Sequence, residues 1–229
     1  MTQSLAIAGG RRAAALLVFL LGGWAPVVSA ETATSAPEAR ADADQTGWLT
    51  AAVGISVGDA LGVDTRYYRP GFDPVPTLSI GWAWRLGAFD LGLSLEHTPG
   101  AHSSTYEGQP TRLGDQVAVL AAVRYRFVTE DWGGFYVSAS PGLGIFMTTE
   151  TLRGAIALAE NVTPREVADL GIGVTLQSGL GFFTRLSETL QFVVEVSGIT
   201  TLGTLTVADQ SLPYQRYRAR FHAGLAWRL

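Results

Sequence analysis

From residue 48 onward, apolar side chains fall on every second position, run after run. "WLTAAVGISVG" sets Leu49, Ala51, Val53, Ile55 and Val57 against Thr50, Ala52, Gly54, Ser56 and Gly58. "TLSIGWAWRL" sets Leu78, Ile80, Trp82, Trp84 and Leu86 against Thr77, Ser79, Gly81, Ala83 and Arg85. The same pattern returns at 89–96, 115–127, 135–145, about 170–183, 190–197 and in the closing stretch from 216. Successive side chains of a strand leave on opposite faces, so this period of two predicts strands and excludes a helical fold.

Each run has about the 9–11 residues that a tilted membrane-crossing strand needs. The connections sort by length. Gly87-Ala88, "VTEDWGG" and "TRLSE" are short turns, whereas 59–76, 97–114, 146–169 and 198–214 are long. An even number of strands, with short turns at one end and long loops at the other, is the plan of an outer-membrane barrel. The predicted fold class is all-β: a transmembrane, antiparallel, up-and-down β-barrel of eight strands over 48–229. Trp48, Trp84, Phe89, Phe127, Trp132, Phe135, Phe182 and Trp227 fall at or near the short-turn end, where an interfacial aromatic girdle is expected. Tyr67, Tyr68, Tyr106, Tyr214 and Tyr217 are expected to form a looser belt at the outer rim.

If the apolar face meets lipid, the other face fills the lumen. An eight-stranded barrel is just wide enough to be packed by its own side chains. The inward positions are Arg85, Asp90, Glu96, Arg124, Arg126, Gln177, Glu195, Arg218, Arg220 and His222. Buried charges must be paired, so these predict a structural salt-bridge network, with Arg85 beside Asp90 and with Glu195 in reach of Arg218 and Arg220. The alternative is a narrow solute path whose conductance depends on Glu195.

The N-terminus predicts export. Arg11 and Arg12, then "AAALLVFLLGGWAPVV" and the small-x-small "VSA", form a signal peptide cleaved after Ala30. The acidic, aperiodic 31–47 reads as a disordered leader. Of 16 basic and 20 acidic residues only Arg11 and Arg12 lie in the signal, so the mature charge is 14 − 20 = −6, which argues against a nucleic-acid partner. With no cysteine there is no disulfide framework and no thiolate metal site. No cofactor is expected.

On its export signal, eight alternating runs and C-terminal strand, the chain resembles the eight-stranded outer-membrane β-barrel family, similar to the OmpA transmembrane domain and OmpX and more distantly to OmpW. The resemblance implies insertion by the barrel-assembly machinery, lipid and lipopolysaccharide as surroundings, and a monomer. Members usually end in an aromatic residue; here Trp227 stands two before Leu229.

Three loop features bear on function. "LEHTPGAHSST" gathers Glu96, His97, His102, Ser103 and Ser104, the ingredients of a hydrolase, although the lipid A deacylase barrel it faintly resembles has a serine where this chain has Pro99. "ETLRGAIALAE" spaces Leu152, Ile156 and Ala159 as a helix, and "TPRE" is a capping box. Such a helix is open to being a plug, a lid, a contact surface or plain packing. Arg66, Arg69, Arg112, Arg153 and Arg216, in or beside the loops, are candidates for lipopolysaccharide phosphates. The expected role is structural or surface-interacting rather than enzymatic, with a solute channel and a lipid-modifying enzyme as alternatives.

Overall fold

The computed structural model describes residues 47–64, 66–71, 73–100, 102–106 and 109–229, without the side chains of 66–71, 102–106, 109, 110 and 128. The expected signal and all of the expected leader except Gly47 lie outside the described residues. The elements run β1 (Gly47–Val63), β2 (Arg66–Gly71), β3 (Val75–Leu86), β4 (Phe89–Thr98), β5 (His102–Tyr106), β6 (Gln109–Arg112), β7 (Gln116–Glu130) and β8 (Gly133–Met147). Then come helix α1 (Glu150–Glu160), a 3-10 turn (Pro164–Glu166), β9 (Val167–Arg185), β10 (Leu190–Val207) and β11 (Gln210–Arg228).

Eight of these strands form a ring in the order β11-β10-β9-β8-β7-β4-β3-β1, and β1 pairs back onto β11 from Trp48↔Arg228 to Val63↔Tyr214. Every pairing is antiparallel, so the chain is an up-and-down barrel. A closed ring leaves no strand edge, which hydrocarbon requires of any spanning sheet. β2 adds to the outer part of β1, and β5 with β6 makes a separate hairpin.

Alternation sets the two faces. On β10, Val196 is 57% exposed and its neighbour Glu195 only 1%; on β11, Phe221 is 50% exposed and Arg220 2%. The apolar side chains therefore coat the outside of the ring and the charged ones fill it, the arrangement of a transmembrane barrel.

Two stretches read as loops are strand. The 198–214 connection is the continuation of β10 and β11, joined by a two-residue turn at Ala208 (φ 48) and Asp209 (φ 64). Both turn residues are left-handed, as a tight hairpin whose twist matches its strands requires. β1 likewise runs on to Val63 after a bulge: Gly58 takes φ 68, and the register against β11 shifts between Val57 and Ala60. The bulge changes the parity, so Asp59, Leu61 and Val63 point inward.

The helix forms where its spacing places it. Thr149 caps it by accepting a hydrogen bond from the Leu152 amide at 3.2 Å, and Asn161 ends it in the left-handed conformation. Leu152 and Ile156 are buried; Ala157 takes the third buried position, and Ala159 is only half-buried. That face packs on Leu61, Val63, Leu113, Phe146, Val167, Leu205, Val207 and Tyr214, mostly inward-facing residues from the outer ends of five ring strands. The helix is therefore a lid on the outer mouth. Behind it the Glu166 carboxylate accepts from the Thr163 amide (2.6 Å) and hydroxyl (2.8 Å), which hold its pKa below the usual carboxylate value.

Candidate functional site

The barrel's interior holds the chemistry. β11 presents Arg216, Arg218, Arg220 and His222 on one face, at alternate positions, all buried. At about 3.4 Å per residue they span ~20 Å along the strand.

The outermost, Arg216, donates from Nε to Asp59 Oδ1 (2.8 Å), from Nη2 to Asp59 Oδ2 (2.5 Å) and from Nη1 to the Gly114 carbonyl (2.8 Å), with its guanidinium over the Phe146 ring at 4.9 Å. Arg218 donates from Nη1 to Gln116 Oε1 at 3.0 Å; Gln116 donates onward to Thr201 Oγ1, which lies 2.9 Å from Thr175 Oγ1. Arg220 pairs with Glu96 (Nη1 to Oε2, 2.5 Å) and, more loosely, with Glu195 (Nη2 to Oε1, 3.8 Å). Glu195 also accepts from Tyr136 Oη (3.0 Å) and Gln177 Nε2 (2.8 Å).

At the short-turn end Asp90 accepts from Arg126 (Nε 2.9 Å, Nη2 2.6 Å) and from Arg85 Nε at 3.4 Å. Arg126 stacks on Phe183, Arg85 on Trp48 and Arg124 on Tyr136, at 4.5, 4.7 and 5.3 Å from the ring centroids. Two internal cavities of about 20 Å³ remain, each big enough for one water, and Thr50 and Arg124 line both. A wider cleft of about 480 Å³, lined by Arg85, Asp131, Arg185, Glu188, Gln191 and Arg228, lies at the short-turn mouth.

The sequence-derived lumen residues thus all stand inside; Arg85 meets Asp90 and Arg220 meets Glu195 as anticipated, and the other partnerships differ. Arg218 bonds Gln116 rather than Glu195, and His222 makes no ion pair among the described residues. Four participants were not anticipated. Arg216, assigned to the loops, is 1% exposed and clamped by Asp59, which withdraws it as a lipopolysaccharide contact. Its parity with Arg218 and Arg220 was the available signal. Asp59 was hidden by the bulge at Gly58. Tyr136 and Gln116 sit on the polar parity of their runs, which is the signal that could find them.

Of the aromatic girdle, Trp84, Phe89, Phe127, Trp132, Phe135 and Trp227 are exposed on the outer wall and Phe182 is half-buried. Their rings cluster: Phe127 with Phe135, and Phe182 with both Trp132 and Phe135, at 5.4–6.3 Å. Trp48 is the exception. At 7% exposure it faces inward, packs with Tyr136, Phe183, Val193 and Ala226, and carries Arg85 on its ring. Its even number shares the parity of Thr50 and Ala52, so the alternation itself turns it in. In the outer tyrosine belt Tyr217 is exposed, but Tyr214 is buried in the lid's core; the side chains of Tyr67, Tyr68 and Tyr106 are outside the description.

The hydrolase ingredients are rearranged. Glu96 points into the lumen at Arg220, while His97 points out and lies 3.3 Å from Asp115 (Nε2 to Oδ2). Asp115 also accepts from the Gly100 amide at 2.9 Å. His97 stands at the outer end of an apolar groove of about 470 Å³ on the lipid-facing wall, between Ala51, Val53, Ile80, Ala223 and Trp227. The side chains of His102, Ser103 and Ser104 are outside the description.

No protein-family model matches the chain, and no curated protein does. Among solved structures it is similar to the outer membrane protein OprG from Pseudomonas aeruginosa (13% identity, 81% of this chain and 97% of that one, TM-score 0.46). It is also similar to Neisserial surface protein A (9%, 77% and 95%, TM-score 0.43) and to Ail, the attachment invasion locus protein of Yersinia pestis (12%, 80% and 99%, TM-score 0.40). Identities this low assign no activity. By its own ring of eight antiparallel strands, apolar outside and charged within, the chain is a transmembrane β-barrel, the fold its sequence resemblance implied.

Proposed function

We propose that the chain is an integral protein of the bacterial outer membrane, exported by a cleaved signal and working as a closed scaffold. It neither conducts nor catalyses; it stiffens the envelope and holds an ordered lid and hairpins at the cell surface. The observation that carries this reading is the double closure of the lumen: a ladder of bonded side chains below, and an apolar core under α1 above. Of the five loop arginines, Arg112 is exposed and suits a lipopolysaccharide phosphate, whereas Arg153 is ion-paired with Asp169. The test is planar-bilayer recording of the full chain. Silence across voltage is expected, and discrete steps that change in Glu195→Gln would overturn the closed-scaffold reading in favour of a channel.

One observation favours a second reading. His97 with Asp115 is a base with an orienting carboxylate, set beside a groove of acyl-chain dimensions. Lipid mass spectra from cells with and without the gene separate the two. A mass change equal to one acyl chain, lost in His97→Ala, establishes a lipid hydrolase; identical spectra remove it.

A further inference from the structure

The ladder is short of negative charge. Among the described residues the lumen contains six guanidinium groups, those of Arg85, Arg124, Arg126, Arg216, Arg218 and Arg220, and four carboxylates, those of Asp59, Asp90, Glu96 and Glu195. Arginine does not lose its proton in proteins, so the difference of two is permanent. At the short-turn end Arg85 borders the open cleft and Arg124 lines both water-sized cavities, so water has room beside each of these two. Arg218 has neither relief.

Arg218 stands between Arg216 and Arg220, about 7 Å from each along β11. Asp59 is committed to Arg216 above, and Glu96 with the more distant Glu195 to Arg220 below, which leaves Arg218 without a carboxylate partner among the described residues. Arg218 is 95% buried (5% exposed), and among the described residues its one side-chain partner is the neutral Gln116 and its Nε has no acceptor. Two more buried donors without protein acceptors flank this tier in register: the Thr98 hydroxyl, across from Gln116, and the Ser197 hydroxyl, across from Arg220. An uncompensated ion in such a place is strongly destabilising.

We propose that the lumen binds one small monovalent inorganic anion, of the halide class, against the Arg218 guanidinium. One negative charge supplies the counter-ion that Arg218 lacks. The enclosed cavities of this lumen are about 20 Å³ each, far smaller than a phosphate ester or an organic carboxylate. The anion is structural: it completes the brace and ties the stability of the fold to the halide concentration.

The test is crystallisation of the full chain in bromide, with urea unfolding of the same protein in chloride and in gluconate, an anion too large for the site. An anomalous bromide peak beside Arg218 is expected, absent in Arg218→Met. Each tenfold rise in chloride above its dissociation constant should shift the folding equilibrium about tenfold, with no such response to gluconate. Should Arg218→Met fail to fold, Gln116→Glu serves instead, because it puts a carboxylate where the amide oxygen now lies 3.0 Å from Arg218. That variant should fold, show no bromide peak and ignore chloride. Equal unfolding in the two salts, no bromide at Arg218, or a peak that survives Gln116→Glu each overturns the proposal; in the last case the ion is adventitious.

Discussion

Asp59→Ala tests whether the ladder is a brace or decoration. Asp59 and Arg216 are 2% and 1% exposed, and both carboxylate oxygens receive guanidinium bonds at 2.8 and 2.5 Å. Truncation leaves the guanidinium buried with the Gly114 carbonyl as its remaining acceptor. Breaking one side of a buried pair typically costs about 3–5 kcal/mol, or two to four orders of magnitude in the folding equilibrium. Removing both charges should cost far less. In Asp59→Ala/Arg216→Met an apolar chain replaces the cation over the Phe146 ring, and stability should return to within about 1–2 kcal/mol of the parent. The control is Asp169→Ala, which breaks the Arg153 pair where the Asp169 side chain is 79% exposed, and which should cost under about 1 kcal/mol. Urea unfolding of the full chain in lipid vesicles, followed by tryptophan fluorescence and by mobility on unheated gels, reads all four proteins. If Asp59→Ala costs no more than Asp169→Ala, or the double variant is no better than the single, the ladder does not hold the barrel.

Four further outcomes follow from the same geometry. Val196→Arg puts a charge on the lipid face at mid-strand, where 57% of the valine is exposed, and should cost about 2–4 kcal/mol in bilayer-based unfolding; a cost near zero would mean this face does not meet hydrocarbon. Gly181→Ala builds a Cβ 2.0 Å from Tyr136 Cζ, so the ring must leave its bond with Glu195, and a loss of about 1–3 kcal/mol by the same assay is expected. Arg220→Lys replaces a fork that reaches Glu96 and Glu195 with a point donor, and should lower the urea midpoint although charge is kept; an unchanged midpoint would show that one contact suffices. The lowered pKa of Glu166 stabilises the turn at Thr163 above the usual carboxylate range, and that contribution is lost as pH falls through the depressed folded value. The Thr163 amide resonance should therefore move only in acid below that range, and not at all in Glu166→Gln.

The barrel was legible because its two faces have opposite solvents, and a period of two records that difference at every residue. The charges inside were legible for the same reason, since Glu195, Arg218 and Arg220 interrupt no apolar run. What escaped was whatever depends on phase. One glycine at φ 68 turns Asp59 inward against the count begun at Leu49. Pairings across the lumen escaped as well, because partners such as Arg218 and Gln116 are brought together by ring closure, and neither sequence distance nor charge announces them. Trp48 shows the complementary error: position near a girdle was given more weight than parity, and parity decided.

The same reasoning explains why 198–214 looked like a loop. Along β10 the outward residues are Val196 and Leu202 low down, but Thr204 and Thr206 above, while the inward ones change from Glu195 and Ser197 to Leu205 and Val207. β11 inverts at the same level: Tyr217 and Phe221 face out beside inward Arg216 and Arg220, whereas above them Ser211 and Gln215 face out beside inward Leu212 and Tyr214. The strands do not end there; their surroundings do. Below this line the wall separates hydrocarbon from a polar lumen, and above it the wall separates water from the apolar core under α1. A window spanning the inversion sees the apolar parity cancel and reads a loop. The level of Leu202 and Tyr217 therefore marks where the hydrocarbon stops, and the Arg216–Asp59 clamp lies at that level, at the boundary between polar ladder and apolar lid. From there the β11 arginines reach across the ring. Gln116 opens β7, diametrically opposite β11, with Gly114 two residues before it, and Glu96 belongs to β4, three strands round. Cross-bracing of this kind needs a long side chain with several rigidly spaced donors, which is consistent with a chain whose every basic residue is arginine.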